Sequence, residues 1–361
     1  MSLPHLHPEA LFILQSVILV GLPFVIWRIP QIRKFIPLVV IQILVGILLG
    51  PSILGQLSYP TYESLFPPAS LSIISWLSWT ALLFFGLLTG LHLDFAEIKG
   101  KGKSFVVISL GSIIIPSLLG MAASWWALNL FPGFLGENAT TLTFLLSMGI
   151  ATGVTALPVL GAILLELQII DKPLGKIALG YATVNDGLLW ILVSVLLSLT
   201  ASSHSGGSWI VIRTIVLTII YFTLMVTVMR PLLDKLLRWR IKTSIISNGQ
   251  TVIIVCFMLT SAFVTELIGI HYLLGAFVFG AIFPKRIAHE LYHKIEPLVI
   301  VFLLPFFFMS TGLKTLFNVA SPEVWILFVL MTIVSSFGKF FCTTIPAKFF
   351  GYSWRTSSLL G

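Results

Sequence analysis

Apolar runs of about 20 residues, separated by short polar loops, repeat along the whole chain, and about 20 residues is what an α-helix needs to cross a bilayer's hydrocarbon core. Windows of this length place spanning helices at residues 10–28, 36–55, 71–91, 104–131, 141–166, 174–200, 209–229, 250–269, 271–284, 291–318 and 322–350. The ninth is short for a full crossing and reads as a tilted or partly re-entrant piece. The pattern predicts an all-α polytopic membrane protein, with residues 1–361 forming one transmembrane domain and no soluble domain of useful size hidden in it.

Composition agrees. The chain is 57% hydrophobic and 9% charged, against about 25% charged residues in a soluble domain. Its net charge of +8 resides in loops between apolar runs, so nucleic acid is not an expected partner and the lipid bilayer is. The basic residues also orient the chain. One set of alternate loops holds Arg28, Arg33, Lys34, Lys99, Lys101, Lys103, Lys172, Lys176, Arg230, Lys235, Arg238, Arg240, Lys242, Lys285, Arg286, Lys294, Lys348 and Arg355. The opposite set holds Arg213 and Lys314. The positive-inside rule then predicts an external N-terminus and a cytoplasmic Lys348/Arg355 end, with the plasma membrane (a bacterial inner membrane) as the expected location. Met1-Ser-Leu-Pro-His-Leu-His-Pro-Glu has no basic n-region or cleavage site, so no cleavable signal peptide is expected. Cys256 and Cys342 lie in apolar runs and read as small packing residues rather than a disulfide. The segment from Thr200 to Ser208 is the most flexible-looking loop and falls near the point where two structural halves would meet.

Candidate chemistry is sparse, which makes it conspicuous. Asn185-Asp186 interrupts the apolar run 174–200. A carboxylate at that depth costs about 2.5–3.5 kcal/mol on insertion scales and persists when it has a partner such as an ion or a proton. Asp186 is therefore the expected ion- and proton-binding group. Asn185 beside it reads equally well as a ligand and as a packing hydrogen bond. The preceding span contains Gly149, Thr152, Gly153, Thr155 and Pro158 in one short stretch. Pro158 removes a backbone donor and frees the carbonyl one turn earlier. An interrupted helix with Thr152 and Thr155 hydroxyls would offer oxygen ligands at mid-membrane. Alone, that stretch reads as readily as a proline kink; with Asp186 on the next span, a monovalent-cation site is favoured. Lys339 lies about midway along its span and is expected near that site rather than snorkelling to the interface. Glu266 reads as part of an aqueous mouth, and His271 as an interfacial histidine. Gly46, Gly50, Gly55, Gly86 and Gly90 read as close helix contacts. No phosphate-binding loop, serine elbow or second intramembrane Asp is present, so neither an enzyme nor a cofactor is expected.

Gly50-Pro-Ser-Ile-Leu-Gly55, Ala151-Thr-Gly-Val-Thr-Ala-Leu-Pro158 and Ala182-Thr-Val-Asn-Asp-Gly187 are stretches that resemble the monovalent cation:proton antiporter-2 family of the sodium/proton exchanger superfamily. Residues Ile36–Gly55, with Gly-Pro-Ser-Ile-Leu-Gly at their end, are similar to the family's early helix, and Leu83–Asp94 to its next. Ala151-Thr-Gly-Val-Thr-Ala-Leu-Pro and Ala182-Thr-Val-Asn-Asp-Gly resemble its ion-site pair. Thr265–Gly280 and Leu304–Lys314 match later helices. The Asn-Asp form most resembles the plant cation/proton exchanger branch and its bacterial relatives. The resemblance implies an inverted-repeat fold of thirteen helices with discontinuous crossing helices, a homodimer, and alternating access by a core bundle moving against a scaffold. It also implies exchange of K⁺ or Na⁺ for H⁺ at Asp186, and with one carboxylate that exchange is expected to be electroneutral if Lys339 keeps its proton throughout. Thr152 and Thr155 then fall on the unwound part of the first crossing helix. Lys339 matches a lysine that pairs, in electrogenic members, with an acid at the position of Asn185. Here that position is Asn, so Lys339 needs another partner. The chain stops where the second crossing helix would begin, so eleven of thirteen helices are expected, as in a fragment or a truncated product. A channel-like efflux protein of the same fold and a non-transporting truncated scaffold are the alternatives.

Overall fold

The computed structural model describes residues 7–93, 102–136, 139–200, 207–240, 246–316 and 321–361. Lys99, Lys101, Lys242 and loop residues 201–206 lie outside the described residues. The chain is helical throughout these stretches. Its helices are α1 (Pro8–Trp27), α2 (Leu38–Leu49), α3 (Pro68–His92), α4 (Gly102–Leu130), α5 (Thr141–Gly153), α6 (Leu157–Glu166) and α7 (Pro173–Thr200). They continue with α8 (Gly207–Leu224), α9 (Asn248–Ile268), α10 (Tyr272–Ile282), α11 (Lys285–Pro297), α12 (Leu304–Leu313), α13 (Pro322–Phe349) and α14 (Trp354–Leu360). Ten segments among the described residues are long and apolar enough to span a membrane, with α5 and α6 forming one and α11 and α12 another.

The ninth expected span, not among these ten, is α10, and its environment explains its length. It has only 11 residues, about 16 Å of helix against about 30 Å of hydrocarbon. Every residue from Leu273 to Ile282 is buried. A helix that is apolar on all faces belongs inside protein rather than against lipid. Gly90 on α3 and Gly280 on α10 let the two backbones touch. A Cβ at Gly90 would overlap the Phe277 carbonyl, and one at Gly280 the Leu87 carbonyl. The tenth span differs from its expected limits. Helix runs unbroken from Lys285 through a π-helical turn at Leu298–Leu303 to Leu313, because the amphipathic α11 feeds directly into the membrane segment. A second π turn, Met225–Met229, extends α8 into the amphipathic helix Arg230–Arg240. Among the described residues both cysteines are free thiols, and Cys256 is exposed on the outer face of α9 rather than packed inside.

Two sets of helices can be traced by packing. In the first, α10 lies between α3 and α9, α12 packs on α2 and α3, and α1 lies on α2. Its interior holds Phe85, Leu88, Phe277, Phe279 and Phe308, with Leu19, Val45, Phe306 and Met309 in a neighbouring cluster. In the second set, α4 is sandwiched by α5 and α13, with α7 and α14 alongside. The half-helix α6 crosses between them, touching α2 and α3 on one side and α7 on the other. Exposed Trp76, Trp79, Trp125, Trp126 and Trp325 lie on outward faces, where lipid would be.

Candidate functional site

The site is built on the gap between α5 and α6. A capping box starts α5: the Thr140 hydroxyl accepts from Thr143 N–H, and Thr143 Oγ1 accepts from Thr140 N–H at 3.0 Å. Helix α5 stops at Gly153, and Val154 (ψ 138°) and Ala156 (ψ 104°) are extended. Helix α6 restarts at Leu157 with Pro158 in its first turn. A proline there gives up an N–H that has no intrahelical acceptor anyway. The gap leaves carbonyls at the end of α5 and N–H groups at the start of α6 without helix partners. The two ends also carry opposite partial charges, negative at α5 and positive at α6.

Each end is met by a group of the complementary sign. The Asp186 carboxylate, from α7, accepts a hydrogen bond from the backbone of Leu157, the first residue of α6. The Lys339 ammonium, from α13, donates to the Val154 carbonyl and, at 2.7 Å, to Thr155 Oγ1. Val154 is the residue four before Pro158, so its carbonyl is the one that a continuous helix could not pair either, for want of a proline N–H. Among the described residues Lys339 thus spends its donors on the broken helix and closes no ion pair with Asp186. That contact is the partner which the asparagine at position 185 withholds.

Asn185 is 3% exposed and Asp186 6%. Asn185 Nδ2 donates to Ser112 Oγ at 2.9 Å and to Thr155 Oγ1 at 3.3 Å. The Ser112 hydroxyl gives its own proton to the Ser109 carbonyl at 2.9 Å, so its oxygen is free only to accept. That fixes which end of the amide faces it. Among the described residues, Asn185 Oδ1 is then a buried acceptor with no partner. Five of the six expected site residues, Asp186, Asn185, Thr155, Pro158 and Lys339, are therefore brought to one helix break. Thr152 is the exception. It lies in the last turn of α5 rather than in the unwound stretch, and its hydroxyl goes to the carbonyls of Pro116 (3.1 Å) and Gly149 (2.9 Å). Its side chain packs against Gly120 of α4.

Ser112 is the site residue that sequence reasoning missed. Its signal was present: Ser109 and Ser112, three apart, put two buried hydroxyls on one face of an otherwise apolar span. Glu266 and His271 belong to a different spot. The Glu266 carboxylate accepts from Tyr272 N–H at 3.1 Å, and His271 Nδ1 accepts from Leu273 N–H at 3.3 Å, so both cap the start of α10. The His271 ring stacks on Trp190 of α7 at 4.5 Å.

Comparison with known proteins gives a consistent result. Residues 16–361 match the family model described as sodium/hydrogen exchanger, transmembrane. Cation/H(+) antiporter 15 of Arabidopsis thaliana is 33% identical over 97% of this chain and 42% of its own length. The Na(+)/H(+) antiporter NhaS4 of Synechocystis is 32% identical over 90% of this chain and 79% of its own. In fold, the chain resembles the sodium proton antiporter MjNhaP1 from Methanocaldococcus jannaschii, with a TM-score of 0.56 and 16% identity over 98% of this chain and 82% of that one. The expected antiporter fold is therefore the one adopted. The plant relatives are longer, and the chain spans 42%, 40% and 38% of the first three.

Proposed function

This chain belongs to the sodium/hydrogen exchanger family, and we propose that it forms the part of an integral membrane exchanger where a monovalent cation and a proton compete for Asp186. The observation that carries the reading is the gap between α5 and α6, with Asp186 at one half-helix terminus and Lys339 at the other. A buried carboxylate held by one backbone N–H keeps lone pairs for either a proton or a cation. Asn185 Oδ1, which accepts from nothing among the described residues, is the adjoining oxygen ligand. K⁺ and Na⁺ both accept such ligands. Lys339 keeps its proton because its carbonyl and hydroxyl acceptors remain in place. Each trip of Asp186 then carries a single positive charge in either direction, and exchange is electroneutral. The basic loops favour an external N-terminus and a cytoplasmic Arg355 end, and the family resemblance favours a homodimer.

The test is Asp186→Asn in proteoliposomes. Asn fills the same space but neither takes nor releases a proton. We expect the variant to fold and to lose proton movement on addition of K⁺ or Na⁺. A pH gradient still dissipated at near wild-type rate would remove Asp186 from the mechanism.

A further inference from the structure

A second polar cluster lies where the end of α3 and the loop after α6 face α11. It surrounds a pocket of ≈ 310 Å³ lined by His92, Asp171, Lys285, His289, Tyr292 and His293. His289 and His293 are four apart on α11, so their rings share one face. Their Nε2 atoms are 3.0 Å apart, and both residues are exposed. Two imidazoles that bind one tetrahedral ion at about 2.0–2.1 Å hold their nitrogens about 3.3 Å apart. The pair therefore needs to open by only a few tenths of an ångström. Behind His293, the Glu296 carboxylate lies 3.6 Å from Nδ1 and is itself fixed by Tyr292 OH at 2.6 Å. A carboxylate on the far nitrogen is the usual way a liganding histidine is oriented.

The rest of the pocket adds one further ligand type. Asp171 follows α6, its side chain is 76% exposed, and its only described tie is His92 Nδ1 at 2.7 Å. The Lys285 ammonium donates to the Leu91 carbonyl at 2.6 Å, at the C-terminus of α3. Among the described residues no three ligands are already converged, so the carboxylate has to swing across the pocket. His289 and His293 belong to the first helix set through α11, whereas Asp171 belongs to the segment leading into the second.

We propose that His289 and His293 form a site for a divalent transition-metal ion of the Zn²⁺ class, which Asp171 completes from across the pocket, so that the bound ion ties the two helix sets together. Its effect on transport rests on the exchange reading above; binding itself does not. The experiment uses the full chain purified without a histidine tag, with Zn²⁺ as the probe. Affinity is read by competition with a chromogenic chelator, and bridging by the Zn²⁺-induced rise in Tm. We expect one bound Zn²⁺ per chain, with affinity weakened about tenfold or more in the His289→Ala/His293→Ala double variant and severalfold in Asp171→Asn. The Tm rise should vanish in both, and Zn²⁺ should slow exchange in wild type only. Both histidines are exposed, so the double variant should fold. Unchanged affinity in the double variant overturns the site. Unchanged affinity and Tm rise in Asp171→Asn overturns the bridge. Because neither readout needs transport, a chain that exchanges no cation would refute the exchange reading and leave the metal site decided.

Discussion

Thr155 Oγ1 receives two donors at once, the Lys339 ammonium at 2.7 Å and the Asn185 amide at 3.3 Å. Its lone pairs are therefore engaged while the site is in this form, and a cation bound here competes with them or uses other oxygens. The arrangement also shows how a buried lysine persists without a carboxylate beside it. A half-helix C-terminus and a hydroxyl supply what an acid would. Replacing Asn185 by Asp would put a carboxylate one hydroxyl away from the ammonium. Asn185→Asp should therefore let Lys339 form an ion pair that makes and breaks within the cycle, adding a second charge to it. Each charge moved across the membrane is worth about 2.3 kcal/mol per 100 mV. We expect Na⁺/H⁺ exchange in liposomes clamped at zero or 100 mV with valinomycin to be indifferent to voltage in wild type and to depend on it in Asn185→Asp. Voltage dependence in the wild type would mean that a second group already carries charge.

At the scale of the element, the broken helix is a property of six consecutive residues, Gly153 to Pro158. Gly153 ends α5, Val154 and Ala156 are extended, and Pro158 lies in the first turn of α6. Pro158→Ala restores an N–H and lets helix run through the gap, which would reclaim the Val154 carbonyl from Lys339. We expect the variant to assemble and to shift cation half-saturation by about a factor of ten or less, about 1 kcal/mol for one altered ligand. An unchanged half-saturation would make the gap a structural kink only. Much of this element was legible in the chain, because Gly, Thr and Pro act through local backbone preferences and a lone Asp in an apolar run is locally visible. The spans were legible for the same reason, with helix length and hydropathy set by each segment alone. What stayed hidden depends on distant pairing. Ser112 meets Asn185 across 73 residues and Lys339 meets Thr155 across 184. The inward turn of Thr152 depends on the small Gly120 beside it, and the π turns at Met225 and Leu298 leave no mark in hydropathy.

For the whole molecule, the proposed alternating access requires the second helix set to shift against the first, and polar contacts add to the apolar packing of α6 on α3 in resisting that shift. The segment from Glu166 to Asp171 carries two of them. Glu166 Oε2 accepts from Leu38 N–H at 2.8 Å, the first N–H of α2, and Asp171 Oδ1 accepts from His92 Nδ1 at 2.7 Å at the end of α3. Both involve exposed atoms, so each contributes about 0–1 kcal/mol and is easily broken. That suits a seam that opens and closes every cycle. A covalent link in the same place would not open. On a background with Cys256→Ser and Cys342→Ser, His92→Cys together with Asp171→Cys should allow a short, reducible thiol cross-linker to join α3 to the loop after α6. We expect cross-linking to lower exchange to the level of Asp186→Asn and reductant to restore it, while each single variant stays active with or without the reagent. Full exchange after complete cross-linking would mean that the two sets do not move apart at this seam. The shift that exposes Asp186 would then have to occur within the second set, between α6 and its neighbour α7.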